Sequence, residues 1–420
     1  MYTGFSSGPK TELPRIVQPF LALVAGIACA ANAQRLTPVS RWNYSGEIRL
    51  LQSDLALLES QQPRRDLRCA VSVPRPELGF EFMFHTGFEV RVPIGEVAGD
   101  GNELTINLRV FPQNRPNDLT YMVGKVPVPA IEKRGRGEGR LYGFFALGEG
   151  KYHIDWLMRD HQERICAMSW DLEAKLDSKD SQLRQWIPQT LIQPSRPLFA
   201  AEPPVIRARE KGSPRFSIIV NFDPSDPSAA LIDEPGLYSL LAIVRRMGRD
   251  PRVEPCSIII CSLATEQIVY QQENKDSIDL PALGAALASV KLGTVDAKRL
   301  VSTHGPAQFA ADLIRGQLSR ENIDALIVLG PKGGSDTKVS RAALESLNKT
   351  GKPAFYLSYD TKSQLNLWRD PISSIMKRLH GFEYGINRPK DFFNAWSDVV
   401  SRIVQTKHAP QVSVVTTAAR

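Results

Sequence analysis

From Cys69 onward, apolar and polar positions alternate in short runs. In "ELTINLRV", Leu104, Ile106, Leu108 and Val110 fall on one face of an extended strand. "FEFMFHTGFEVRVPI", "LTYMVGKVPVP", "GRLYGFFALGEG", "KYHIDWLMRD" and "RICAMSWDLEAKL" are similar, rich in Val, Phe, Tyr, Ile and Thr and bounded by Gly, Pro, Asn and Asp. With no helix-period segment between them, they predict an all-β sandwich over residues 67–184. Ahead of it, residues 34–66 form an N-terminal extension in which "SGEIRLLQSDLALLES" predicts a strand and a short helix. Behind it, the prolines of 185–214 resist any regular element and predict a linker.

At Phe216 the period changes. "FSIIVNF" reads as a buried strand, and "GLYSLLAIVRRMGR" has helical spacing at Leu237, Leu240, Leu241 and Val244. Strand-like "CSIIICSLA", "QIVYQQ", "IDALIVLGP" and "PAFYLSYD" then mix with helix-like "DLPALGAALASV", "GPAQFAADLIRGQLSRE", "KVSRAALESLNKTG" and "DFFNAWSDVVSRIVQT". Strand and helix alternating with long crossovers predict a three-layer α/β domain over 215–406, with a mostly parallel sheet. A tail at 407–420 carries no period and is expected to be disordered.

The first residues change where this protein is expected to work. Lys10 and Arg15 precede "IVQPFLALVAGIACAA", and small residues at Ala31 and Ala33 close that run. This is a signal-peptide pattern over 1–33, cut between Ala33 and Gln34, and it implies a periplasmic, cell-surface or secreted protein. The alternative is a retained anchor, although Pro14 and Pro19 shorten any spanning helix. No second apolar run is long enough to cross a membrane, so no span is expected after cleavage. Export permits disulfides. Cys69 and Cys166, both in strand-like segments, are the candidate pair, and Cys256 and Cys261 of "PCSIIICS" read as buried thiols.

Across 420 residues the formal charge is +7, with basic and acidic residues interspersed. That distribution argues against a dedicated nucleic-acid binder. The local exception is "EKRGRGEGR", a hairpin tip or exposed loop whose Arg134, Arg136 and Arg140 are candidates for contact with an acidic partner.

Candidate chemistry gathers after the first strand of the α/β domain, in "FSIIVNFDPSDPSAALIDEPG". Ligand sites of open parallel sheets lie outside the carboxyl ends of the strands. There Asp223, Ser225, Asp226 and Ser228 offer carboxylate and hydroxyl oxygens, the donors that suit magnesium or another hard divalent cation. Strand, acid-serine loop and alternating elements together resemble the von Willebrand factor A family, whose D-x-S-x-S loop helps hold a metal completed by an acidic residue of a partner. Asp223 and Ser225 match the first two places. The third falls on Pro227, with Ser228 one residue late. The resemblance implies a threonine, for which Thr303 is the candidate, and a later aspartate, for which Asp336 is. Lys332 would oppose a metal electrostatically unless its side chain points away. The bland reading is that Asp223 or Ser225 caps and Asp233 lies in the turn before the next helix.

"LGPKGGSDTK" does not fit a phosphate-loop motif, which leaves Lys332 as a candidate anion or partner contact. No GxSxG elbow is present, and His304 and His380 are the histidines of this domain. His85, Tyr152, His153, Asp155 and His161 lie in or beside strands and read as structural, and Phe392 and Trp396 read as helix core. With no complete catalytic constellation, the expectation is an exported binding or adhesion protein with a protein partner. The alternatives are an extracytoplasmic hydrolase using Asp223 or Asp226 with His304, and a structural or assembly module marked by an apolar interface.

Overall fold

The structure is a computed structural model that describes residues 40–42, 50–132, 137–194, 197–205, 213–224, 232–273, 277–289, 305–332, 339–345, 347, 351–359 and 370–408. The chain opens with β1 (Ser40–Trp42), α1 (Gln52–Ser60), β2 (Arg64–Arg65), β3 (Ala70–Ser72), β4 (Glu77–Leu78) and β5 (Phe84–Pro93). Then come α2 (Ile94–Val97), β6 (Asn102–Pro112), β7 (Thr120–Val128), β8 (Glu138–Leu147), β9 (Gly150–Arg159) and β10 (Ile165–Ala174). A 3-10 helix (Ser178–Trp186) and β11 (Ile192–Pro194) complete this half.

These strands form two sheets. One has the order β1-β7-β6-β9-β10-β2, and the other β11-β8-β5-β3 with β4 paired to β5. The predicted alternation of β6 holds: Leu104, Ile106, Leu108 and Val110 are all buried in the core. Phe88 of β5 meets Trp156 of β9 edge to face at 5.5 Å, a contact from one sheet to the other. Cys69, just ahead of β3, is bridged to Cys166 in β10, a disulfide joining the two sheets across 97 residues of chain.

The N-terminal extension is built into this half. Helix α1 covers the outer row of the first sheet, with Leu58 packed on Leu157, Ile165 and Ala167. Its Asp54 is buried and accepts from Asn107 Nδ2 at 2.9 Å and Arg159 Nε at 2.8 Å, partners that a buried carboxylate requires. Next to it, Arg109 Nε donates to Asp155 at 2.9 Å and its terminal nitrogen to the Leu58 carbonyl at 3.2 Å. Part of the predicted linker is likewise ordered, because β11 pairs with β8. The Arg-rich segment does not close a hairpin. It runs from β7 in one sheet to β8 in the other.

The second half contains β12 (Arg215–Asn221), α3 (Glu234–Gly248), β13 (Glu254–Ser262), β14 (Gln267–Glu273), α4 (Leu280–Ser289), α5 (Gly305–Leu318), β15 (Ala325–Gly330) and α6 (Arg341–Glu345). It ends with β16 (Ala354–Tyr359), α7 (Pro371–Leu379), β17 (Phe382–Ile386) and α8 (Pro389–His408). The sheet order is β14-β13-β12-β15-β16-β17, parallel except for β14 against β13. Ile218, Val220, Ile327 and Leu357 face α3 and α8, whereas Ile219, Ile259, Val328 and Tyr356 face α5 and α7. Asp233 caps α3, accepting from Gly236 N at 3.1 Å.

Helix α7 and strand β17 go beyond the sequence reading, which assigned no element to them and took Phe392 and Trp396 as helix core contacts. Asp370 caps α7 through Ile372 N at 3.1 Å, with Pro371 at the first turn. β17 adds a sixth strand at the sheet edge, with Glu383 and Gly385 exposed between the less exposed Phe382, Tyr384 and Ile386.

An aromatic seam joins the halves. Phe80 meets Tyr359 at 5.7 Å, and Phe82 stacks on Phe392 at 6.2 Å. The Arg246 guanidinium sits 4.3 Å from the centroid of Trp186 and 5.3 Å from that of Phe82. Lys390 pairs with Asp180 at 2.9 Å at its rim.

Candidate functional site

The α/β sheet reverses its winding direction beside β12. The chain passes from β12 to β13 on one side and later to β15 on the other, and the carboxyl ends of β12 and β15 flank this switch point. In such sheets the crevice at the switch point is where ligands bind. Asn221 ends β12 and Gly330 ends β15.

Asp223 stands two residues beyond the end of β12. Its Oδ1 accepts from the Ser262 hydroxyl at 2.6 Å and its Oδ2 from the backbone N–H of Ala264 at 2.9 Å. Asn221 supports the same turn: its Oδ1 accepts from the backbone N–H groups of Asp223 and Leu263, both at 3.3 Å. Asn221 is buried. The residue also lines a small, otherwise apolar cavity with Cys261, Leu263, Ile314 and Val328.

Burial lifts the Asp223 carboxyl above the ordinary Asp range, and the hydrogen bonds from Ser262 and Ala264 pull the other way. The neighbouring Cys261 thiol is pushed upward too, first by burial and then by the charge of Asp223. No described Lys or Arg pairs with Asp223. A carboxylate offers about four lone-pair sites on its two oxygens, and this donor chemistry suits a hard cation.

Among the other predicted ligands, Ser225, Ser228, Thr303 and Asp336 lie outside the described residues, as do Asp226 and His304. Among the described residues no group of three or more His, Cys, Asp or Glu side chains is arranged to hold a metal. Lys332 pairs with Glu383 at 3.0 Å, so its charge is met from β17. His380 follows α7 and precedes β17, which puts it at the opposite end of the strands from Asp223. Arg134 and Arg136 lie outside the described residues, whereas Arg140 is on β8, 3.6 Å from Glu89.

Sequence reasoning passed over Asn221, Ser262 and Gly330. The available signal was a polar or glycine residue directly closing each apolar strand, in "IIVN", "IICS" and "IVLG".

No protein-family model matches the chain, and no curated protein matches it. Among solved structures, it is similar to the beta-glucuronidase of Bacteroides uniformis at 8% identity, over 74% of this chain and 38% of that one, with a TM-score of 0.17. A glycosyl hydrolase family 2 member from Bacteroides cellulosilyticus is 9% identical over 80% of this chain and 40% of its own, with a TM-score of 0.18. A Northeast Structural Genomics Consortium target is 9% identical, covers 27% of this chain and 94% of its own, and has a TM-score of 0.18. The chain spans less than half the length of the two glycosidases. Likeness at these TM-scores carries no argument.

Proposed function

We propose that this is an exported binding protein whose α/β domain works as a von Willebrand A-like module. A protein partner docks at the carboxyl edge of the parallel sheet, through a weakly held divalent cation such as magnesium. Asp223 would hold that ion, with Ser225, Ser228, Thr303 and Asp336 as the further ligands that the resemblance implies. The cation would supply an empty coordination position for an acidic group of the partner. The observation that carries the reading is a half-buried carboxylate at the sheet's switch point with no described basic side chain to balance it. Among the described residues, no helix is long and apolar enough to cross a membrane. Calorimetric titration of magnesium and manganese into residues 34–420, beside Asp223→Ala, tests the reading.

The second reading, a structural or assembly module, is favoured by the Phe80–Phe82–Trp186 seam, which fills an interdomain contact with buried rings. A rigid pair of domains is compatible with both readings. Only the binding reading requires a cation response.

A further inference from the structure

Strand β8 exposes two large rings for which folding gives no reason. Its inward residues Phe145 and Leu147 are buried, while on the outward row Tyr142 is 54% and Phe144 is 56% exposed. The two stand two residues apart on one face, which spaces them by about 7 Å along the strand. β8 pairs with β5 along its whole length, whereas β11 pairs only with Phe145–Leu147, so among the described strands the rings are flanked on the β5 side alone.

The surroundings make the face flat and neutral. Gly87 lies opposite Phe144, and a Cβ there would run into the carbonyl oxygen of Gly143, so bare backbone flanks that ring. Glu89 lies opposite Tyr142, and its carboxylate is 3.6 Å from Arg140. Arg91 and Glu138 approach each other at 3.9 Å. Among the described residues, the charges beside the rings are therefore paired. Towards the other end the face reaches His85, whose ring meets Tyr238 at 5.5 Å, so the strip is bounded by the interdomain seam.

A flat row of rings with a self-neutralised polar rim complements a ligand that is uncharged, extended and apolar on its flat faces, with hydroxyls at its edges. Among the described residues a polyanion would meet no unpaired cation beside the rings, and a partner helix would need a groove. We propose that the outward face of β8 binds an uncharged polysaccharide, whose pyranose C–H faces stack on Tyr142 and Phe144 while its hydroxyls meet Glu89 and Arg140. This surface lies on the β domain and is independent of the cation reading.

The test is affinity electrophoresis of the exported chain through gels containing soluble β-glucan, xylan, galactomannan or, as the charged counterpart, hyaluronate. Wild type, the double variant Tyr142→Ala/Phe144→Ala and Glu89→Gln are compared, with unfolding curves confirming that each is folded. The expected result is retardation by at least one neutral polymer, unchanged by added salt and weakened about tenfold or more in the double variant, the scale set by two ring contacts. No retardation by any neutral polymer would overturn the proposal. So would retardation that the double variant leaves intact, or retardation confined to hyaluronate. A concentration-dependent dimer that the double variant abolishes, without polysaccharide binding, would overturn it too, because the face would then be a contact between copies of this chain.

Discussion

Asn221 and Gly330 touch across the ends of the two central strands: a Cβ built at Gly330 falls 2.7 Å from the Asn221 carbonyl oxygen and 2.8 Å from its Cβ. Gly330 also has φ +152°, which L side chains rarely adopt. This close approach sets the floor of the switch-point crevice. Gly330→Ala is expected to cost about 1–3 kcal/mol, as small-to-large changes in packed sites do. Urea unfolding of the variant beside wild type measures it, and an unchanged midpoint would show that the strand ends separate freely.

The pH dependence of Asp223 follows from its burial. The folded state binds its proton more tightly than the unfolded chain, because the carboxyl is held above its ordinary range by desolvation. Its contribution to stability is therefore fully present below the unfolded value and is lost as pH rises through the folded one. Stability of wild type relative to Asp223→Ala should decline as pH rises above the ordinary Asp value of about 4. Unfolding series on both proteins read the slope. A difference that does not vary with pH would mean that the carboxyl is balanced by a charge outside the described residues.

Phe82 is the centre of the seam. It is buried, stacked on Phe392, and lies under Arg246. Phe82→Ala should cost about 3–5 kcal/mol and split a single calorimetric transition into two, one for each half. One transition with unchanged heat would show that the halves are held together elsewhere.

On the far side of the β domain, Arg109 and Asp155 form a buried ion pair at 2.9 Å beneath α1. Asp155→Ala leaves the guanidinium unpaired and should cost about 3–5 kcal/mol, whereas Arg109→Met/Asp155→Leu should recover most of that loss. Equal losses in the single and double variants would mean that the pair does not act as a unit.

What was legible in the sequence was whatever repeats locally. The period-two row of β6 and the strand–helix alternation after Phe216 each follow from a few consecutive side chains, and Asp233 announces the start of α3. The placement of α1 was not legible, because Asp54 has meaning only once Asn107 and Arg159 stand beneath it, and both are distant in sequence. The Arg-rich segment left hairpin and loop both open for a related reason: a turn-rich stretch between two strands looks the same whether they pair or enter different sheets. At the site, Asp223 stood out by residue type. Its supports Asn221 and Ser262 did not, since an amide and a hydroxyl closing apolar strands are ordinary until two strand ends meet.

The central claim is that a cation binds at Asp223. Calorimetric titration of magnesium and manganese into residues 34–420 tests it most directly, with Asp223→Ala as the control and unfolding at matched pH as a check that the variant is folded. The account predicts saturable binding by wild type, lost in the variant, with stabilisation that grows as pH rises and the carboxylate ionises. Silence in both proteins, or equal binding by both, would contradict it.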